Sequence, residues 1–75
     1  MMRGHSVQYR AALASALDMW AAARERAIWE LARHAATAAD QGRNDDSAFF
    51  SFAARSLIVK AVHERARAAA LRATA

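Results

Sequence analysis

The residues that could bind a metal or carry out catalysis are few and widely separated. The histidines are His5, His34 and His63, and no two lie at the spacing of a helical metal motif. The chain has no cysteine, which excludes disulfides and thiolate metal sites. We therefore predict that the protein holds neither a metal nor a cofactor.

Nucleophilic catalysis has equally little support. The two glycines, Gly4 and Gly42, are isolated, so no glycine-rich phosphate loop is present. Four serines are expected on helices or at a helix cap with no obvious base beside them; they are Ser15, Ser47, Ser51 and Ser56. These observations predict a protein that is not an enzyme.

Charged side chains have a simpler interpretation as ion pairs on helices. Arg26 with Glu30 and Lys60 with Glu64 are each four residues apart, the spacing of a surface ion pair on one helix. We also expect Glu64 to meet Arg24 across a helical hairpin, because Arg24 interrupts an otherwise apolar stripe.

The elements that carry these residues are predicted to be two long helices. The chain is rich in alanine and arginine and has no proline, a composition that favours helix. Ser6 suits an N-cap and Gly42 a helix end, where positive φ is favoured. We predict one all-α domain over residues 1–75, folded as an antiparallel hairpin: a helix over about 7–40, a turn over 41–46 and a helix over about 47–72. Asp46 or Ser47 is expected to cap the second helix.

The first helix has one apolar stripe at the three- and four-residue spacing of a packed face. The stripe consists of Tyr9, Leu13, Ala16, Leu17, Trp20, Ala27, Ile28, Leu31, Ala35 and Ala38. One neighbouring helix can cover a stripe of this width, so we expect the stripe to pack against the second helix.

The second helix is apolar nearly all round between residues 49 and 62. One neighbouring helix shields a single stripe, so a second stripe indicates a further protein surface. We predict a homodimer that forms a four-helix bundle. Its interface is predicted to contain Phe49, Phe50, Phe52, Leu57 and Val59.

Trp29 is predicted to lie on the opposite side of the first helix from the packed stripe, beside Arg26 and Arg33. Tryptophan and arginine dominate the energetics of protein interfaces. The leading hypothesis is a small bacterial or phage regulator, inhibitor or adaptor that occludes a partner protein with a helix face. The arginine- and alanine-rich composition, with a single lysine, is the basis for that suggested source.

A basic nucleic-acid-binding dimer is the alternative. The net charge is +4, and Arg65, Arg67 and Arg72 cluster near the end of the second helix, where they could contact phosphates. Acidic residues interrupt every long apolar window, so no membrane span is expected, and the lack of cysteine fits a reducing cytoplasm.

Overall fold

The chain forms two long helices that pack side by side in opposite directions. The structure, a computed structural model, describes residues 2–74, and the side chains from Ser6 to Thr74. Helix α1 spans Met2–Asp40 and helix α2 spans Asn44–Ala73. The hairpin measures 61 × 13 × 12 Å. The predicted all-helical hairpin is confirmed, whereas the side chain of His5 lies outside the described part.

The helices extend further than the sequence pattern indicated. Because α1 begins at Met2, Ser6 lies inside the helix and is not its cap. Helix α2 begins at Asn44, so the predicted capping residues Asp46 and Ser47 belong to its first turn. There Asp46 is next to the positive end of the helix dipole, which favours a carboxylate in the first turn without a capping bond.

Gly42 ends α1 and reverses the chain. Its φ is +75°, in the left-handed region that an L side chain rarely adopts. The amide of Gly42 donates to the carbonyl of Ala39 at 3.0 Å, and that of Arg43 donates to the carbonyl of Ala38 at 2.8 Å. This is the Schellman pattern, which satisfies the last carbonyls of the helix within a very short turn.

The packed positions on each helix follow a strict heptad spacing of alternating steps of three and four residues. Every position in these inner seams is buried or half-buried. On α1 the inner seam is Ala14, Leu17, Ala21, Arg24, Ile28, Leu31, Ala35 and Ala38; on α2 it is Ser47, Phe50, Ala54, Leu57, Ala61, Glu64, Ala68 and Leu71.

Alanine dominates the core. Among the described residues, the buried set consists of seven alanines and Leu17. Leu17 packs with Ala14 and Ala68 at the open end of the hairpin, with Leu13 and Leu71 partly covering them. Small side chains let two helices approach closely, but they remove little apolar surface from water.

Tyr9 and Trp20 do not belong to the packed face, contrary to the sequence prediction. Their exposed fractions are 69% and 54%. A period of 3.6 residues placed them on the stripe. The actual seam repeats every 3.5 residues, so both side chains fall outside it, on a flank or outer face of α1.

Arg24 and Glu64 form an ion pair across the inner seams, as expected from the sequence. The Arg24 Nε donates to Glu64 Oε1 at 2.8 Å, and the Glu64 side chain is only 13% exposed. Both charges lie among apolar seam residues, where each neutralises the other. This pairing explains why an arginine interrupts the apolar stripe of α1.

Gly42→Ala should destabilise the hairpin by about 1–2 kcal/mol, the usual cost of a left-handed L residue. An added Cβ would have nothing within 4 Å, so backbone strain is the whole of the expected effect. Urea unfolding followed by circular dichroism at 222 nm measures it. Gly42→Asn is the matched control and should lose less, since asparagine tolerates this region better. Equal losses for both variants would contradict the backbone explanation.

Candidate interaction surface

No constellation of side chains in the described residues suggests a reaction centre. No group of three histidine, aspartate or glutamate residues there could hold a metal ion. The ring of His34 lies against that of Phe50, with centroids 5.4 Å apart, while His63 is exposed.

The surface of the hairpin carries many large apolar side chains. Ten of them are exposed within the described part: Val7, Tyr9, Met19, Trp20, Trp29, Phe49, Phe52, Ile58, Val59 and Val62. Single exposed hydrophobic residues need no explanation, but a contiguous group of them marks an interaction site. Half of this set lies on α2 between residues 49 and 62.

The five α2 side chains that were predicted to form an oligomer interface separate into two groups. Phe50 and Leu57 occupy the inner seam and are half-buried against α1. Phe49, Phe52 and Val59 are exposed on the outside of the hairpin, with Phe52 at 63% and Val59 at 55%. The sequence pattern identified an apolar helix correctly but did not separate the face used within the chain from the face left open.

The open face of α2 has a heptad pattern of its own. We call it the outer stripe, and all of its residues are exposed: Ala48, Phe52, Arg55, Val59, Val62, Ala66 and Ala69. Their steps alternate between four and three residues, as in a coiled-coil seam. Arg55 is the only charged member.

Trp29 points away from α2, as predicted, and is 73% exposed. Arg26 and Arg33 are also exposed on α1. Glu30 pairs with Arg33 at 3.4 Å, three residues along the helix, in place of the expected partner Arg26. Likewise, Glu64 bonds Arg24 in place of Lys60.

One flank of the hairpin is held by a network of ion pairs that the sequence analysis missed. Arg65 donates two hydrogen bonds to Glu25, at 2.6 and 3.2 Å, and a third to Asp18 at 3.1 Å. Arg72 forms a second ion pair with Asp18. In an antiparallel heptad pair these positions face each other across the seam, so the correct register would have revealed the network.

Hydrogen bonding in this network changes the acidity of its members. The bond from Arg72 is the main cause that holds the pKa of Asp18 below its ordinary value of 3.8, with Arg65 adding to it. The bond from Arg65 lowers the pKa of Glu25 below 4.5. In turn, Glu25 raises the pKa of Arg65.

Two of the three arginines predicted to contact nucleic acid are therefore already engaged. Arg65 and Arg72 bond carboxylates of α1 on one flank of the hairpin. Arg67 is exposed, but its place in the heptad puts it on the other flank. The three side chains do not form one basic surface.

An apolar groove of about 310 Å³ runs between the helices beside this network. Its walls include Ile28, Ile58 and Val62, and the Glu25–Arg65 ion pair lies at its edge. Trp29 is the next residue along α1 from Ile28. Trp29 itself does not line the groove, because its side chain points away from α2.

Neither helix, within residues 2–74, has the length and apolarity required to cross a bilayer. Comparison with known proteins found no matching family model, no similar curated protein and no similar solved structure.

The Asp18 and Glu25 ion pairs should make stability depend on acid pH. Both carboxyls have lowered pKa values in the fold, so their contribution is present at neutral pH and is lost as pH falls below about 4. We expect the difference in Tm between wild type and Asp18→Asn to be largest at pH 7 and to shrink towards pH 3.

Circular dichroism melts at several pH values test this dependence. Asp40→Asn, at the end of α1 and remote from the network, serves as the control and should show a small difference from wild type at every pH. If the Asp18→Asn difference stays constant between pH 7 and pH 3, the assignment of this acid sensitivity to Asp18 is wrong.

Proposed function

We propose that this hairpin is a non-enzymatic protein-binding module that completes its apolar burial by associating with other chains. The supporting observation is the contrast between a core of seven alanines and one leucine and a surface with ten large exposed hydrophobic residues. Large apolar side chains that could stabilise this fold therefore remain available for contacts with another protein.

The size of the chain reinforces this contrast. A domain near 75 residues buries only about 60% of its unfolded surface, so its core is marginal. Full burial of a phenylalanine or valine contributes about 1.5–3 kcal/mol. Covering Phe49, Phe52 and Val59 would therefore add a stabilisation that is large for a domain of this size.

Self-association is the first part of the proposal. Two copies that meet through the outer stripe, with Phe49 at its edge, would form a homodimeric bundle of four helices. Helices with apolar residues at heptad spacing pair with other helices, which makes a second hairpin a suitable cover.

Binding of a different protein is the second part. Trp29 with Arg26 and Arg33 forms an exposed group on α1, away from the outer stripe, so a dimer built on α2 would leave it accessible. An exposed tryptophan with arginines three and four residues away on the same helix has the composition of an interface hot spot. We propose that it anchors the hairpin on a partner protein and blocks the surface it covers.

The source of the protein and its cellular compartment are proposed from composition alone. The abundance of alanine and arginine favours a bacterial or phage protein, and the absence of cysteine is compatible with the cytoplasm. A small regulator, inhibitor or adaptor acting by occlusion would need no catalytic group. Nucleic-acid binding is the weaker candidate, because Asp18 and Glu25 neutralise Arg65 and Arg72.

Light scattering at low micromolar concentration should give about twice the chain mass of 8.2 kDa for the wild type. Val62→Glu would bury an unpaired carboxylate in the outer stripe and should weaken the dimer by about 3 kcal/mol, over roughly a hundredfold in Kd. Ala23→Glu adds the same charge at an exposed α1 position and should leave the mass unchanged. A monomeric, helical wild type would contradict the proposed self-association.

Trp29→Ala should remove a specific partner protein from a pull-down performed on a lysate of the source cells. Loss of the indole typically costs more than 2 kcal/mol at a hot spot. Trp20→Ala is the matched control, because Trp20 is also exposed but lies on another side of α1. A set of captured proteins that is identical for wild type and Trp29→Ala would refute the role of Trp29, provided that light scattering shows the variant unchanged in mass.

A further inference from the structure

Helix α2 carries two heptad seams on different faces, of which the hairpin uses one. The inner seam, with Ala54, Ala61 and Ala68 buried, contacts α1. The outer stripe is exposed along its whole length of about 32 Å, at 1.5 Å per residue over residues 48–69. A regular heptad seam, unlike an irregular patch, is shaped to receive another helix.

The outer stripe of a second copy of the hairpin suits that stripe better than the outside of α1 does. The outside of α1 mixes Met19 and Trp29 with the charged residues Arg26, Glu30 and Arg33, so no continuous apolar seam exists there. The outer stripe of a second copy is continuous and of the same length. An interface in which each chain contributes the same surface also closes on itself, as two-fold dimers do.

We infer that α2 pairs with α2 of a second copy in the antiparallel direction, around a two-fold axis near residue 57. This inference rests on the proposed self-association and specifies its geometry. In this register Phe52 faces the partner's Val62, and Ala48 faces the partner's Ala66. The largest side chain of the stripe thus meets a smaller one.

Charge along α2 favours the antiparallel direction over the parallel one. Asp45 and Asp46 lie in the first turn, whereas Lys60 and Arg67 lie in the second half. A parallel pair would bring the two acidic helix starts together at one end and the two basic halves together at the other, and would align the two helix dipoles. The antiparallel pair brings the acidic start of each helix towards the basic half of the other and opposes the two helix dipoles.

Arg55 fixes the register of this pair. It lies two residues from the two-fold axis and faces the partner's Val59, so its guanidinium must reach out of the seam to solvent while its stem remains packed. A polar residue at a single seam position restricts a coiled coil to the register in which that residue is solvated, at a cost in stability. Shifting the helices by one heptad would move Arg55 against the alanine or phenylalanine end of the stripe.

Cysteine cross-linking tests the direction directly, because the chain has no native cysteine. Ala48→Cys and Ala66→Cys change exposed small residues at the two ends of the stripe. The two positions are about 27 Å apart on one helix, too far for a cross-link within a chain. One variant carries an affinity tag, and each variant alone and the equimolar mixture are treated with a short bis-maleimide linker.

The antiparallel pair predicts that the mixture gives a mixed dimer containing one tagged and one untagged chain, and that neither variant alone gives a cross-linked product. Strong cross-linking of each variant with itself indicates a parallel pair and overturns the inference. If no covalent dimer forms in any reaction although light scattering shows a dimer, the interface lies elsewhere and the inference is also overturned. A monomer by light scattering instead defeats the underlying proposal of self-association, so the two failures are distinguishable.

Discussion

Close packing of two helices through alanine is the constraint on which the rest of this structure depends. With Ala21 and Ala35 on α1, and Ala54, Ala61 and Ala68 on α2, the seam is narrow and the helices lie near each other. Such a seam allows a close approach of the helices but removes little apolar area from water. The larger side chains, such as Phe52 and Trp29, are consequently displaced to the outside, where they can contact other chains.

Ion pairs between the helices add to the limited stabilisation that the small core provides. The Arg24–Glu64 pair crosses the inner seams, and Arg65 links both Asp18 and Glu25 on one flank. A shift of one helix by a heptad would break the Arg24–Glu64 pair and leave both charges against apolar seam residues, so this pair specifies the register of the hairpin. The arrangement of these ion pairs also explains why a chain with a net charge of +4 does not present a uniformly basic surface.

The sequence was sufficient to predict the number of helices, their direction and the turn. Gly42 identified the end of α1, because no other residue there adopts positive φ so readily. Counting back from that turn also predicted that Arg24 meets Glu64. These features depend on local backbone preferences and on simple arithmetic along a hairpin.

Finer features required the actual heptad register. A stripe drawn at 3.6 residues per turn and one drawn at 3.5 diverge over a helix as long as α1, and this difference misplaced Tyr9 and Trp20. The same uncertainty hid the contacts of Arg65 with α1 and left Phe50 grouped with the exposed Phe49. Composition shows how much of a helix is apolar, but only packing shows which part is already used.

The turn at Gly42 brings the last turn of α2 alongside the early part of α1, at the open pole of a rod about 61 Å long. Arg10 near the start of α1 bonds the carbonyl of Thr74 at 2.9 Å, which marks that pole. A force that pulls α1 and α2 apart at this pole would act on one layer of seam contacts at a time, so the helices would separate progressively towards the turn. Sliding one helix along the other would instead require every layer to break together, so the hairpin resists shear between its helices more than separation at the open pole.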